Sequence, residues 1–89
     1  MKARTIWKWT LAVTDLQALD MPKGAKILSI QTQGQMPQLW AYIDPTEPRE
    51  ARTIRIIGTG HPIPEHPGDY IGTFQMGGGA LVFHVFEAP

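Results

Sequence analysis

The chain of 89 residues fits one domain, in which about 60–65% of the unfolded surface is buried on folding, a core with a thin margin. Cysteine is absent, which excludes disulfides, thiolate nucleophiles and cysteine-held zinc together. Eight Lys plus Arg balance eight Asp plus Glu, and zero net charge argues against duplex nucleic acid, whose phosphates require a cationic excess.

The start, Met1-Lys2-Ala3-Arg4, opens like a secretory leader, but Lys8 interrupts the apolar run and Asp15 closes it. No stretch approaches the roughly 20 apolar residues of a bilayer span, so the expectation is a protein of the cytoplasm with no membrane partner. Thr5 to Leu11 alternates, with Trp7, Trp9 and Leu11 on one side and Ile6, Lys8 and Thr10 on the other, the pattern of a half-buried strand. The two tryptophans read as core, with a stacking platform or a subunit contact as the alternative. Leu16 to Met21 reads as a short strand stopped by Pro22 and Gly24.

Lys26 to Thr32 is the next strand, expected to face inward through Leu28 and Ile30. Gln33-Gly34-Gln35 supplies a tight connection, and Gln38 to Ile43 returns as its partner. The returning strand is apolar on both faces, Leu39, Ala41 and Ile43 against Trp40 and Tyr42, which predicts cover on both sides by a second sheet or a neighbouring subunit. Asp44 to Glu50, with Pro45 and Pro48, reads as an exposed, mobile loop. Thr53 to Ile57 is a strand that runs into Gly58-Thr59-Gly60-His61-Pro62-Ile63-Pro64, a glycine turn followed by a proline-stiffened loop. Tyr70 to Gln75 and Ala80 to Glu87 are the last two strands, joined through Met76-Gly77-Gly78-Gly79. The final strand, apolar on both faces, is expected to lie centrally in its sheet. With Gly/Pro turns at close spacing and no amphipathic helix, the fold class is all-β: a compact single-domain β-sandwich or open barrel spanning 1–89, of about six or seven short, mostly antiparallel strands.

Chemistry-bearing residues gather in and after the glycine-proline loop. His61, Glu65, His66, Asp69 and His84 are suitable metal ligands by type, but their spacing matches no zinc signature, and no metal or cofactor is expected. A His61 general base oriented by Glu65 or Asp69 is conceivable, yet Ser29 is the only serine and no nucleophile motif appears, so no enzyme is expected. Anion binding is the third reading. The backbone of Gly58, Thr59 and Gly60 can form a nest for a phosphate, Arg55 and Arg52 lie near in sequence, His61 adds an imidazole, and Trp40 or Tyr70 can stack on a base.

Met21-Pro22-Lys23-Gly24-Ala25-Lys26-Ile27-Leu28-Ser29, Ile57-Gly58-Thr59-Gly60-His61-Pro62-Ile63-Pro64, Tyr70-Ile71-Gly72-Thr73-Phe74 and Gly78 to Glu87 together resemble a family of small proteins of unknown function encoded by tailed phages and prophages. The resemblance covers nearly the whole chain and assigns no residue a role. It implies a viral accessory protein in the host bacterial cytoplasm. The expectation is a homo-oligomeric β-protein that captures, without turnover, a small anionic nucleotide serving as a host immune signal. The binding residues are then Arg55, Gly58, Thr59, Gly60, His61, Tyr70, Trp40 and Arg52. A module docking on a host protein, or a minor virion component, is the alternative, with an unpaired sheet edge as the binding element. A metal-dependent hydrolase stands third.

Overall fold

The computed structural model describes residues 3–89; the basic opening Met1-Lys2 lies outside them. The fold is all-β. Seven strands follow in chain order: β1 (Thr5–Thr10), β2 (Leu16–Pro22), β3 (Lys26–Gln33), β4 (Met36–Ile43), β5 (Arg49–Gly58), β6 (Asp69–Met76) and β7 (Leu81–Glu87). They form two antiparallel sheets, one in the order β1-β4-β3 and the other β2-β5-β7-β6. The Cα envelope measures 46 × 31 × 16 Å, two layers deep. Seven strands in an unclosed two-sheet arrangement match the expected class, and β7 lies centrally between β5 and β6 as its two apolar faces require.

Alternation builds the core. Leu39, Ala41 and Ile43 of β4 point inward and meet Ile54 and Ile56 of β5, Phe74 of β6 and Val85 of β7, all buried. Each such side chain contributes about 1.5–3 kcal/mol by leaving water. The β3–β4 hairpin turns on Gly34 and Gln35, both at positive φ (59° and 68°), the left-handed pair that matches strand twist in a two-residue turn.

Two seams join the sheets without strand pairing. At one, Thr32 of β3 donates its hydroxyl to the Gln75 carbonyl of β6 at 2.9 Å, and Ile30 packs against the bare Cα of Gly72. At the other, the Trp9 indole N–H donates to the Asp20 carbonyl at 3.2 Å, and the Arg49 guanidinium lies 4.9 Å from the Trp7 ring centroid. The tryptophans are half-buried against the core, so they serve as the cover of this seam.

The structure corrects two expectations. Leu28 does not face inward: it is 46% exposed, while Ile30 is 5% exposed. The β3–β4 register slips between Ile27, opposite Ala41, and Ser29, opposite Trp40, so Leu28 is the extra residue of a bulge that resets the alternation. The connection after β4 is also no loose loop. Asp44 is buried, and its carboxylate accepts from the Thr46 amide (3.0 Å) and hydroxyl (2.6 Å). The Lys23 amide meanwhile donates to the Pro48 carbonyl, and β5 is already under way at Arg49. Within the chain, the second sheet covers one face of β4, and the other face, with Trp40 half-buried and Tyr42 exposed, is the one for which a neighbouring subunit was the alternative cover.

Candidate functional site

The outer face of the four-stranded sheet carries the residues in question, because register aligns them across three strands. Arg55, Phe86 and Tyr70 share one row, and Ile57, His84 and Thr73 the next. β5 leaves the sheet at Gly58. The Thr59 amide then donates to the Val82 carbonyl (3.0 Å) and the His61 amide to the Gly58 carbonyl (3.0 Å), with Gly60 at φ +88°. This turn brings the His61 ring down onto Gly58, where a Cβ would stand 3.0 Å from Nδ1. Glycine is needed there so that the imidazole can lie flat against the strand end.

The ring of His61 stands between two clefts. The first, of about 310 Å³, lies beside Arg55, Asp15, Ile57 and Pro64; the second, of about 240 Å³, lies beside Thr59, Ile63, Tyr70, His84 and Phe86. A concavity therefore borders the loop on each side, the first at the lower end of the volumes usual for small-molecule sites and the second below it. The floor of the second cleft is aromatic, since the Tyr70 and Phe86 rings meet edge to face with centroids 5.6 Å apart.

Five of the expected residues, Gly58, Thr59, Gly60, His61 and Tyr70, come together around the second cleft, and Arg55 joins His61 at the first. The nest itself is not free, because the Thr59 and His61 amides are both already donating within the fold. Arg55 is half-buried, and its Nε is shielded from solvent with no hydrogen-bond partner among the described residues. A buried donor left unpaired is costly, and a ligand oxygen that reached it would remove that cost.

Arg52 and Trp40 are placed elsewhere. Arg52 donates through Nε and Nη2 to the two carboxylate oxygens of Glu87, and through Nη1 to the Ala25 carbonyl at 2.9 Å. The hydrogen bonds that Arg52 donates to Glu87 raise its pKa above the ordinary arginine value while burial opposes the rise. Trp40 belongs to the outer face of the other sheet.

His84, weighed from the sequence only as a metal ligand by type, completes the site together with Thr73 and Asp15, which the sequence did not single out. His84 lies between two hydroxyls, with Nε2 2.7 Å from Thr59 Oγ1 and Nδ1 3.0 Å from Thr73 Oγ1, and Tyr70 Oη lies 2.6 Å from Thr73 Oγ1. Thr59 Oγ1 donates to the Val82 carbonyl, so it must accept from His84. Neutral His84 then carries its proton on Nε2, Nδ1 accepts from Thr73, and Thr73 accepts from Tyr70. The chain of donors runs one way from Tyr70 to the Val82 carbonyl and leaves neither ring nitrogen idle. The alternation of Val82, His84 and Phe86 on one face of β7 was the signal for this row. Asp15, brought to the first cleft because its carbonyl accepts from the Ile56 amide at 3.1 Å, had no such signal.

The His61 ring makes no side-chain hydrogen bond among the described residues, so Glu65 and Asp69 do not orient it as a base. No group of three or more His, Asp or Glu side chains suited to a metal ion occurs among the described residues. No helix among them is long and apolar enough to cross a membrane. A family model described as a domain of unknown function (DUF7352) matches residues 2–89. No curated protein and no solved structure matches the chain.

Proposed function

The chain belongs to the DUF7352 family, and we propose from the geometry of its clefts that it is a binding protein for a small anionic ligand of nucleotide type, which it holds without turnover. The observation that carries this reading is Arg55: a cation with a shielded, unpartnered Nε at the wall of an open cleft. A phosphate oxygen in the cleft pairs with the guanidinium, a small turn of the Arg55 side chain would bring Nε to it as well, and the exposed Tyr70 ring offers a stacking surface across His61. The Asp15 carboxylate in the same cleft suits a ligand that also presents hydroxyl or N–H donors, as a ribose or a base does. Pro62 and Pro64 lower the entropy lost when the loop closes on its ligand.

The resemblance to phage-encoded proteins supplies the setting. In it, the protein is a viral accessory factor of the host bacterial cytoplasm that sequesters a nucleotide-derived immune signal. Self-association through the exposed Leu16 and Ile63 beside the clefts would enclose the ligand further.

Isothermal titration against cyclic nucleotides and ADP-ribose-type nucleotides tests the reading. Heat of binding with at least one of them, lost in Arg55→Gln, is the expected result. No heat from any of them, together with a purified protein whose absorbance shows no nucleotide passenger, overturns it.

A further inference from the structure

The outer face of the three-stranded sheet has a composition that net charge conceals. Its rows are Ile6–Tyr42–Lys26 and Lys8–Trp40–Ser29, then Thr10–Gln38–Gln31. Arg4, just ahead of β1, places its guanidinium 5.9 Å from the Tyr42 ring centroid. None of the three strands contains an Asp or Glu, and Asp44, which follows β4, is buried. The acidic strand residues Asp20, Glu50, Asp69 and Glu87 all belong to the other sheet.

Among the described residues, none of these three cations is in an ion pair. Lys8 donates to the neutral Gln33 side chain at 2.8 Å, Arg4 lies over an aromatic ring, and Lys26 is exposed. Tyr42 is 40% exposed and Ile6 53%. Trp40 and Tyr42, two residues apart on one strand, stand about 6.8 Å apart along it, which leaves room for a planar base against each ring or one between them.

We propose that this face binds single-stranded nucleic acid, with bases stacked on Tyr42 and Trp40 and phosphates met by Arg4, Lys8 and Lys26. Rings in the centre strand with cations on either flank are what a strand of phosphates and splayed bases requires. A duplex, with its bases already stacked, gains nothing from the rings. A second copy of the chain is the poorer occupant, because a two-fold contact sets these cations against one another with no carboxylate to pair them. The site is separate from the His61 clefts, so either can fail while the other stands.

The test is fluorescence anisotropy with labelled oligo-dT and oligo-U of about 20 nucleotides, and a duplex of the same length as comparison. Both single strands are expected to bind better than the duplex, with log K falling against log salt at a slope of about −2, as for three phosphate contacts. Tyr42→Ala should weaken binding by about 10-fold. Lys8→Gln with Lys26→Gln, both exposed and safe for folding, should flatten the slope to about −0.7. Preference for oligo-U over oligo-dT, or the reverse, identifies which polymer the face serves. Absence of binding at low salt, or binding unchanged by both variants, overturns the proposal. So does a dimer in sedimentation that Tyr42→Glu dissociates, since the face would then belong to a second copy.

Discussion

Replacing Arg52 with alanine is expected to unfold the protein more readily without acting on a ligand directly. The guanidinium ties three strands together: it lies on β5, clamps Glu87 of β7 with two hydrogen bonds, and reaches the Ala25 carbonyl at the entry to β3. A hydrogen bond to a charged group contributes about 1.5–3 kcal/mol, and a solvent-exposed pair only about 0.2–1 kcal/mol. The two side chains are 18% and 24% exposed, nearer the first case than the second. Removing the cation strands a half-buried carboxylate and a carbonyl, so the loss should be about 2–3 kcal/mol. At this chain length that corresponds to a fall in Tm of roughly 10–20 °C. Urea unfolding of Arg52→Ala, Glu87→Gln and the double variant gives the coupling, expected at about 1 kcal/mol or more. An unchanged midpoint for Arg52→Ala, with the two substitutions additive, would refute the reasoning. Arg52 would then be free for the ligand role that its position in the sequence suggested.

Four further outcomes are expected. Because Glu87 raises the Arg52 pKa, the contribution of the pair is fully present below the unfolded arginine value and is lost only above the folded one. The cost of Arg52→Ala in urea should therefore be equal at about pH 7 and about pH 10. Gly72→Ala puts a Cβ 2.5 Å from Ile30 Cγ2 at the seam between β3 and β6, and thermal unfolding should show a loss of about 1–3 kcal/mol. Leu28→Ser should change stability by less than about 0.5 kcal/mol, whereas Ile30→Ala should cost about 2–5 kcal/mol, the contrast that the bulge imposes on chemical unfolding curves. Gly58→Ala crowds His61 Nδ1 at 3.0 Å; the exposed ring should swing away with little loss of stability, visible as shifted imidazole resonances and weaker nucleotide heat.

Pattern and punctuation together located all seven strands: β1 by the period-two alternation that a half-buried strand must show, β4 and β7 by runs apolar on both faces, and β2 by the Pro22 and Gly24 that stop it. Alternation failed at Leu28, where one inserted residue reverses the faces, and no local pattern in Lys26-Ile27-Leu28-Ser29-Ile30 distinguishes a bulge from a regular strand. The loop from Gly58 to Pro64 was legible as rigid and as a place for side chains to gather. That Tyr70 and Arg55 meet it on one face follows from β6 and β5 flanking β7, a strand order that sequence neighbours do not reveal.

Charge shows the same division. The balance of eight against eight is a property of the composition and was available at once. Its distribution, cations without carboxylates on one sheet and every strand carboxylate together with Arg49, Arg52 and Arg55 on the other, depends on which strands share a sheet. Sequence by itself determined the strands, their inward faces outside the β3 bulge and the place of the glycine-proline loop, because these depend on residues a few positions apart. Tertiary structure alone decided that Arg52 meets Glu87, that His84 lies between two threonines and that Arg55 Nε is left unpaired. Those are contacts between residues distant in the chain, set by how two sheets stack, and no local preference encodes them.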